Sequence, residues 1–330
     1  ARIWGVQEHE IPGPGRSATE LLDSLGTHDG PKALLVFGAN PAISAPRSRH
    51  VAERLRSLDL LVVADSLPSE TALLADVVLP VTQWAEETGT MTSLEGRILR
   101  RRQAVQPPAG VRTDLAVIQA LATRLGRQPA EFPADPDVVL TELRCASHGG
   151  RADYSGADPV LLEAEVPLYW PVPAESMGTP RLFTDCFAHP DGRARFIPVA
   201  YRDAAELPDE EYPLFGTTGR ILQHYQSGAQ TRRVPELIAA APEPFVEVHP
   251  DTAHHAGLSD GKTARVRSRR GSLLAKVRCV PSLRPDTVFL PFHFPGDGAA
   301  NAVTNPALDP VSQMPEFKVC AVRLEPAERP

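Results

Sequence analysis

The sequence predicts two architectures in succession, an α/β domain built on a parallel sheet and then a compact β-barrel. Three observations carry that expectation. Short continuous apolar runs alternate with helical patterns as far as residue 125, and short β-rich runs broken by Gly, Pro and Asp take over after residue 245. The third is length: 330 residues, at about 150 per domain, suffice for two cores.

Residues 17–25 (SATELLDSL) read as a capped amphipathic helix, with Ser17 as N-cap and Glu20 three positions on. Residues 33–37 (ALLVF) form an apolar run ending at Gly38, the pattern of a buried parallel strand. A helix is expected over 46–57, where Pro46 suits the first turn, and a second buried strand over 58–64, ending at Asp65. Residues 69–74 read as a short helix and 76–79 as a third strand closed by Pro80. Asp114 opens a longer helix that runs to Leu125. This alternation implies parallel pairing through right-handed crossovers. Residues 129–195 hold many prolines and few clear periods, so an irregular connection with one helix near 135–145 is expected. Barrel strands are expected at 246–248, 263–268, 272–280 and 287–290, with a helical turn at 251–257. The domain division that follows is 1–150 for the α/β domain, 151–205 for the linker and 206–330 for the barrel.

Composition narrows the function classes. Hydrophobic residues make up 42% and charged residues 23%, as in ordinary soluble proteins. No apolar run is long enough to predict a membrane span. A net charge of −7 argues against nucleic acid as a partner. The 34 prolines are dispersed and read as rigid turns. Cys145, Cys186, Cys279 and Cys320 form no CxxC pair, which excludes a local zinc knuckle or iron–sulfur run. They are expected to be free, buried thiols in a reducing, cytoplasmic compartment. The chain opens on Ala1 without a targeting pattern, and His254-His255 has no neighbouring carboxylate or thiol to complete a metal site.

Four places sit where such folds hold ligands. Gly38-Ala39-Asn40-Pro41 follows a parallel strand, at the end where open α/β sheets bind ligands, and Asn40 offers donors and an acceptor; an ordinary turn is the alternative. Asp65 ends the next strand, and its carboxylate suits a guanine edge or ribose hydroxyls, or else a helix cap. The stretch 217–228 gathers Thr218, Gly219, Arg220, Ile221, Leu222, Gln223, His224, Tyr225, Gln226 and Ser227. Its hydroxyls, backbone N–H groups and Arg fork suit a pyrophosphate, and Gln223 and His224 suit pterin heteroatoms. The run 292–318 holds Asn301, Asn305, Asp309 and Lys318; turn geometry accounts for most such loops, but a lysine can reach a phosphate. Arg100-Arg101-Arg102 and the arginines of 267–270 read as solvated faces.

These segments together resemble the C-terminal portion of the molybdopterin oxidoreductases of the dimethyl-sulfoxide-reductase class. The carrying segments are 34–44 (LLVFGANPAIS), 60–96, 110–125, 214–228 and 286–323, the last with PDTVFLPFHF and NAVTNPALDPVSQMPEFKVCAVR. Residues 187–196 (FAHPDGRARF) and the HYQSGAQTRRV stretch are most similar to assimilatory nitrate reductases. The resemblance implies a Rossmann-like α/β domain followed by a double-psi β-barrel, and the cofactor Mo-bis(molybdopterin guanine dinucleotide). It implies that Asn40, Ala64 and Asp65 hold the guanosine and diphosphate end, with Asp114 reaching the same nucleotide. Residues 218–227 would wrap the pterin and phosphates, and Asn301 and Lys318 would close over the pterin. The implied reaction is nitrate to nitrite by oxygen-atom transfer, with formate dehydrogenases and periplasmic nitrate reductases as near alternatives, and a non-catalytic dinucleotide-binding module as another. The family's molybdenum-ligating cysteine and its 4Fe-4S motif precede the matched region, so no catalytic residue is expected here. The expected partners are the N-terminal half of the same enzyme, or a separate subunit equivalent to it, and an electron-donor protein or domain. Glu87 stands where some relatives carry a lysine, so no cofactor contact is expected of it.

Overall fold

The apolar runs pair as their composition requires. In the computed structural model, which describes residues 1–327, helix α1 (Ala18–Ser24) is opened by a capping box in which Ser17 and Glu20 satisfy each other's backbone N–H groups. Strand β1 (Ala33–Phe37) runs parallel to β2 (Leu60–Asp65), with Ala33 opposite Leu60 and Phe37 opposite Ala64. Strand β3 (Val77–Pro80) lies on the other side of β2. A short helix α2 (Pro41–Ser44), not expected, comes first, and after a break the expected helix over 46–57 forms as α3 (Ser48–Arg56). The break falls at Arg47, which adopts a left-handed φ of 52° and pairs with Asp23. The expected helix over 69–74 is a single 3-10 turn, Ala72–Leu74.

Alternation decides which face of this sheet is covered. Leu34, Val36, Leu61 and Val63 point to one side and pack on Leu22, Leu25, Val51 and Leu55 of the helical layer. Each such residue stabilises the fold by about 1.5–3 kcal/mol. The other face is bare, with Leu35 48% and Leu60 40% exposed.

The chain gathers into two compact units that cut across the expected division. One comprises residues 15–79 with the chain from 201 onward, and the other residues 1–14 and 80–200. The first three strands therefore share a unit with the barrel.

The second unit is organised by a small antiparallel sheet, β4 (Gly89–Thr92), β5 (Arg97–Arg101) and β6 (Leu168–Tyr169). Helices α4 (Asp114–Arg124), α5 (Pro136–Ser147) and α6 (Pro159–Glu163) complete it. Ile98, Leu140, Ala157, Leu162, Leu168 and Val172 form its core. Residues 157–172, expected in an irregular linker, thus contribute to packing. The arginines of 100–102 are paired: Arg100 with Asp137 and Glu163, Arg101 with Glu87, and Arg102 with Glu163 and Glu165. From 193 to 200 the chain has no regular element and leaves Phe196, Ile197 and Val199 exposed.

The barrel is closed by six strands: β7 (Leu214–Gly219), β8 (Phe245–Val248), β9 (Thr263–Ser268), β10 (Gly271–Cys279), β11 (Thr287–Pro291) and β12 (Cys320–Pro326). The order is β10-β8-β11-β7-β12-β9, with β7–β11 and β8–β10 parallel and the other pairs antiparallel. This mixed closed order agrees with the double-psi barrel that the family resemblance implies. Leu273, Ala275 and Val277 of β10 alternate inward to meet Val246, Val266, Val288 and Val322. Short helices α7 (Pro235–Ala240) and α8 (Pro250–His255) lie between strands. Of the cysteines only Cys320 is buried, and burial pushes its thiol up to about 12; Cys145 and Cys186 are exposed, against expectation.

Candidate cofactor-binding site

A cavity of about 610 Å³ opens in the unit that contains the barrel, between the ends of β1 and β2 and the loops after β7 and β11. That size suits a small molecule. Of the expected site residues, Asn40, Asp65, Thr218, Arg220, Tyr225, Gln226, Ser227, Asn301 and Lys318 line it.

The α/β wall begins where β1 ends. Gly38 takes a φ of +55°, disfavoured for other residues, while its N–H bonds Ala64 O at 2.9 Å. That turn delivers Asn40, whose amide is fully engaged. Its Oδ1 accepts from Thr71 N (3.1 Å) and Thr71 Oγ1 (2.8 Å), and its Nδ2 donates to Glu70 (2.7 Å) and Ser227 Oγ (3.2 Å). Glu70 also accepts from Arg232 at 2.5 Å. Burial raises the Glu70 carboxyl, but the bonds from Asn40 and Arg232 outweigh it and hold it below its ordinary 4.5. Asp65 accepts from Ser69 Oγ at 2.9 Å and more weakly from Leu67 N at 3.4 Å, so it caps a turn while bordering the cavity. Asn301 donates to Ile43 O at 2.7 Å and accepts from Thr304.

The barrel wall is differently furnished. Thr218, at the end of β7, donates to Phe317 O at 2.9 Å, and its carbonyl accepts from Lys318 Nζ at 2.6 Å. The Arg220 guanidinium and the Lys318 ammonium stand 5.7 and 5.4 Å from the centre of the Phe292 ring. Partial burial, then the nearby Arg220, lower the Lys318 ammonium below its ordinary value. Among the described residues neither cation has a carboxylate partner within 4.0 Å. Ser227 accepts from Asn40, which leaves its own O–H to donate elsewhere.

Several expected residues stand outside. Ala64 is buried within β2, and Gly219 packs so closely on Phe289 that an added Cβ would lie 2.4 Å from the ring. Ile221, Leu222, Gln223 and His224 do not line the cavity. His224 is buried, with Nε2 3.0 Å from Ala241 O and Nδ1 3.2 Å from Thr231 Oγ1, and Leu222 is exposed. Asp114 lies in the other unit, at the first turn of α4. Asn305 and Asp309 serve turns: Asn305 accepts from Ala307 N, and Asp309 from Val311 and Ser312 N. The sequence reading did not single out Phe292, Phe317, Glu70, Arg232 or His293. The clustering of Phe292 and His293 in PFHF was the available signal for two of them. Among the described residues no three His, Cys, Asp or Glu side chains converge as a metal site, and no helix is long and apolar enough to cross a membrane.

A barrel loop and an α/β strand end that share a cavity furnished with two cations suit an anionic ligand, and comparison with known proteins gives the family. The molydopterin dinucleotide binding domain model matches residues 214–321, and the molybdopterin oxidoreductase model matches residues 10–124. The chain belongs to the molybdopterin oxidoreductases. It is 40% identical over 329 residues to the assimilatory nitrate reductase catalytic subunit of Bacillus subtilis (strain 168), covering 99% of this chain and 46% of that protein. It is also 40% identical over 315 residues to the F420-dependent formate dehydrogenase subunit alpha of Methanocaldococcus jannaschii, covering 95% and 46%. The solved structure of acetylene hydratase from Pelobacter acetylenicus shares the fold, with a TM-score of 0.67 at 20% identity over 94% of this chain and 46% of that one. The chain thus spans about half the length of these relatives.

Proposed function

We propose that this chain is the part of a cytoplasmic molybdenum oxidoreductase that cradles molybdopterin guanine dinucleotide, in an enzyme that reduces nitrate to nitrite. One observation carries the cofactor reading. Arg220 and Lys318 face a single cavity and, among the described residues, have no carboxylate within 4.0 Å, and a diphosphate supplies the missing charge. Ser227, Gln226 and Tyr225 add neutral donors on the same wall. Asp65 at the strand end suits the N–H edge of a guanine, and Asp114 remains assigned to the same nucleotide by resemblance alone. When bound, the molybdenum centre supplies two-electron oxygen-atom transfer, in which nitrate, two electrons and two protons become nitrite and water. This chain's residues bind the dinucleotide, orient it and exclude water from its phosphates.

The remaining polypeptide of the enzyme, whether the same chain or a separate subunit, is proposed to carry the 4Fe-4S cluster, the molybdenum ligand and the contact with the electron donor. Parallel sheets are covered on both faces, yet the face bearing Leu35 and Leu60 is bare. An apolar groove of about 680 Å³ runs along α1, the free edge of β1 and the loop at 312–317. The relatives are more than twice as long as this chain, and that additional polypeptide is the occupant proposed for both surfaces.

Formate oxidation is the second reading, favoured by the equal 40% identity to a formate dehydrogenase. Assaying the complete enzyme on nitrate with a reduced dye, and on formate with an oxidised one, separates the two. Nitrate turnover is expected, with none from this chain alone. Formate turnover in its place installs the second reading, and purified complete enzyme without guanine dinucleotide overturns the cofactor assignment.

A further inference from the structure

The loop after β7 is held by a side chain for which the reading above has no use. His293 is fully buried just beyond β11 and bonds the main chain at two places. Ile221 N–H donates to its Nε2 at 3.0 Å, and its Nδ1 lies 2.6 Å from Gln226 O. A backbone N–H only donates and a carbonyl only accepts. Both bonds therefore coexist in one protonation state, the neutral ring with its hydrogen on Nδ1 and a lone pair on Nε2.

The two anchors bracket residues 222–225, of which Leu222, Gln223 and His224 stand off the cavity and Tyr225 lines it. Arg220 directly precedes the first anchor, while Gln226 is the second and Ser227 follows it; all three line the cavity. Gln226 takes a left-handed φ of 49°, a conformation that costs free energy outside glycine and that the His293 bond helps to hold. Gly228 follows at φ +75°, where an added Cβ would lie 2.6 Å from His293 O, so the His293 main chain closes the same end of the loop.

We propose that His293 is the positioning residue of the anion-binding loop. As the Nδ1–H tautomer it fixes both ends and aims Arg220, Gln226 and Ser227 into the cavity; a second proton, on Nε2, displaces the Ile221 N–H and frees the Arg220 end.

The surroundings oppose that second proton. Burial first, then His224 with its ring 6.0 Å away and Arg220, lower His293 below its ordinary 6.5, against the opposite pull of the Gln226 carbonyl. Lys318 stands over the adjoining Phe292 ring, and Arg232 reaches Gly228. Glu70, the carboxylate of this network, is engaged by Asn40 and Arg232. Because the folded protein takes the proton less readily than the unfolded chain, the lock is complete above the ordinary 6.5 and is lost only as pH falls through the lower value the ring has in the fold.

Histidine nitrogen NMR of the full-length protein tests this. At pH 7.5 the His293 ring, assigned by its coupling across the Ile221 hydrogen bond or by its absence from a His293→Gln spectrum, is expected to carry its hydrogen on Nδ1 alone. As pH is lowered until the nitrogen spectra show the His293 ring taking its second proton, amide exchange at 220–222 is expected to rise roughly ten-fold above its intrinsic pH trend, the scale of one lost hydrogen bond. His293→Gln, whose side-chain oxygen stands where Nε2 does, keeps the Ile221 bond and loses the pH step, whereas His293→Ala exchanges quickly throughout. A hydrogen on Nε2 at pH 7.5, or a pH step that persists in His293→Gln, overturns the proposal. The tautomer decides it on the unmodified protein if the variants fail to fold, and it does so whichever ligand the cavity takes.

Discussion

The two walls of the cavity spend their polar groups in opposite ways. On the α/β wall Asn40 is occupied by Thr71, Ser227 and the Glu70 behind it, and Glu70 in turn by Arg232. Asn301, which comes from the barrel, is spent on the backbone of Ile43. On the barrel wall Arg220 and Lys318 are left facing the cavity, both near the ring of Phe292. The difference separates scaffold from recognition. A fully bonded side chain has little left to give a ligand, and removing it damages the fold. A cation without a carboxylate partner keeps its charge for a ligand, even where, like Lys318, it also bonds a carbonyl, and removing it damages binding more than the fold.

Neutralising the barrel wall gives the largest expected effect. Arg220→Gln with Lys318→Met removes two charge-assisted contacts, each about 1.5–3 kcal/mol. Guanine dinucleotide retained by the complete enzyme is expected to collapse, while the dinucleotide-free protein loses no more than about 1 kcal/mol, the contribution of the Lys318 bond to Thr218 O. Full retention, measured as guanine nucleotide released per protein on acid treatment, breaks the division between the walls. Glu70→Gln is next. It leaves the half-buried Arg232 without its counter-charge, and a loss of stability of about 2 kcal/mol is expected. The carboxyl is held below its ordinary 4.5 in the fold, so its contribution is present above 4.5 and disappears as pH falls below it. Stability of the protein and of Glu70→Gln should therefore converge in acid. Parallel curves from pH 7 to 3 would remove Glu70 from the scaffold.

The same contrast explains what was legible in the sequence. Strands β1, β2 and β9 could be read because their apolar residues run continuously or alternate. Strand β7 was hidden, since LFGTTG is half polar and its Thr218 and Gly219 look like loop. Strands β4 and β5 were hidden for a related reason: GTMT and RILRR carry few apolar residues, and the arginines of β5 are held by carboxylates far away in sequence. Arg220 stood out as a candidate because a cation among hydroxyls and glycines is a local pattern, whereas Lys318, within PEFKVC, stood out only through the family resemblance. Glu70, Arg232 and His293 were not, because their roles arise from partners 30 to 162 positions away. The stretch 221–224 misled for the opposite reason. Its polar residues are adjacent to the site in sequence, but between the two anchors on His293 they stand off the cavity, His224 buried against Ala241 and Thr231.

Asp65 is where the comparison is closest to balance, because it caps a turn on the scaffold side and borders the cavity on the other. Asp65→Ala is expected to cost about 1 kcal/mol of stability through the lost cap, and to weaken dinucleotide retention. That result alone leaves the two roles mixed. Asp65→Asn separates them, since its amide oxygen still accepts from Ser69 while its NH₂ group meets the N–H edge of a guanine with the wrong polarity. Stability within about 0.5 kcal/mol of the parent, together with lowered guanine dinucleotide content, makes Asp65 a recognition residue. Unchanged content in both variants moves it wholly to the scaffold wall, and guanine selection must then come from elsewhere in the complete enzyme.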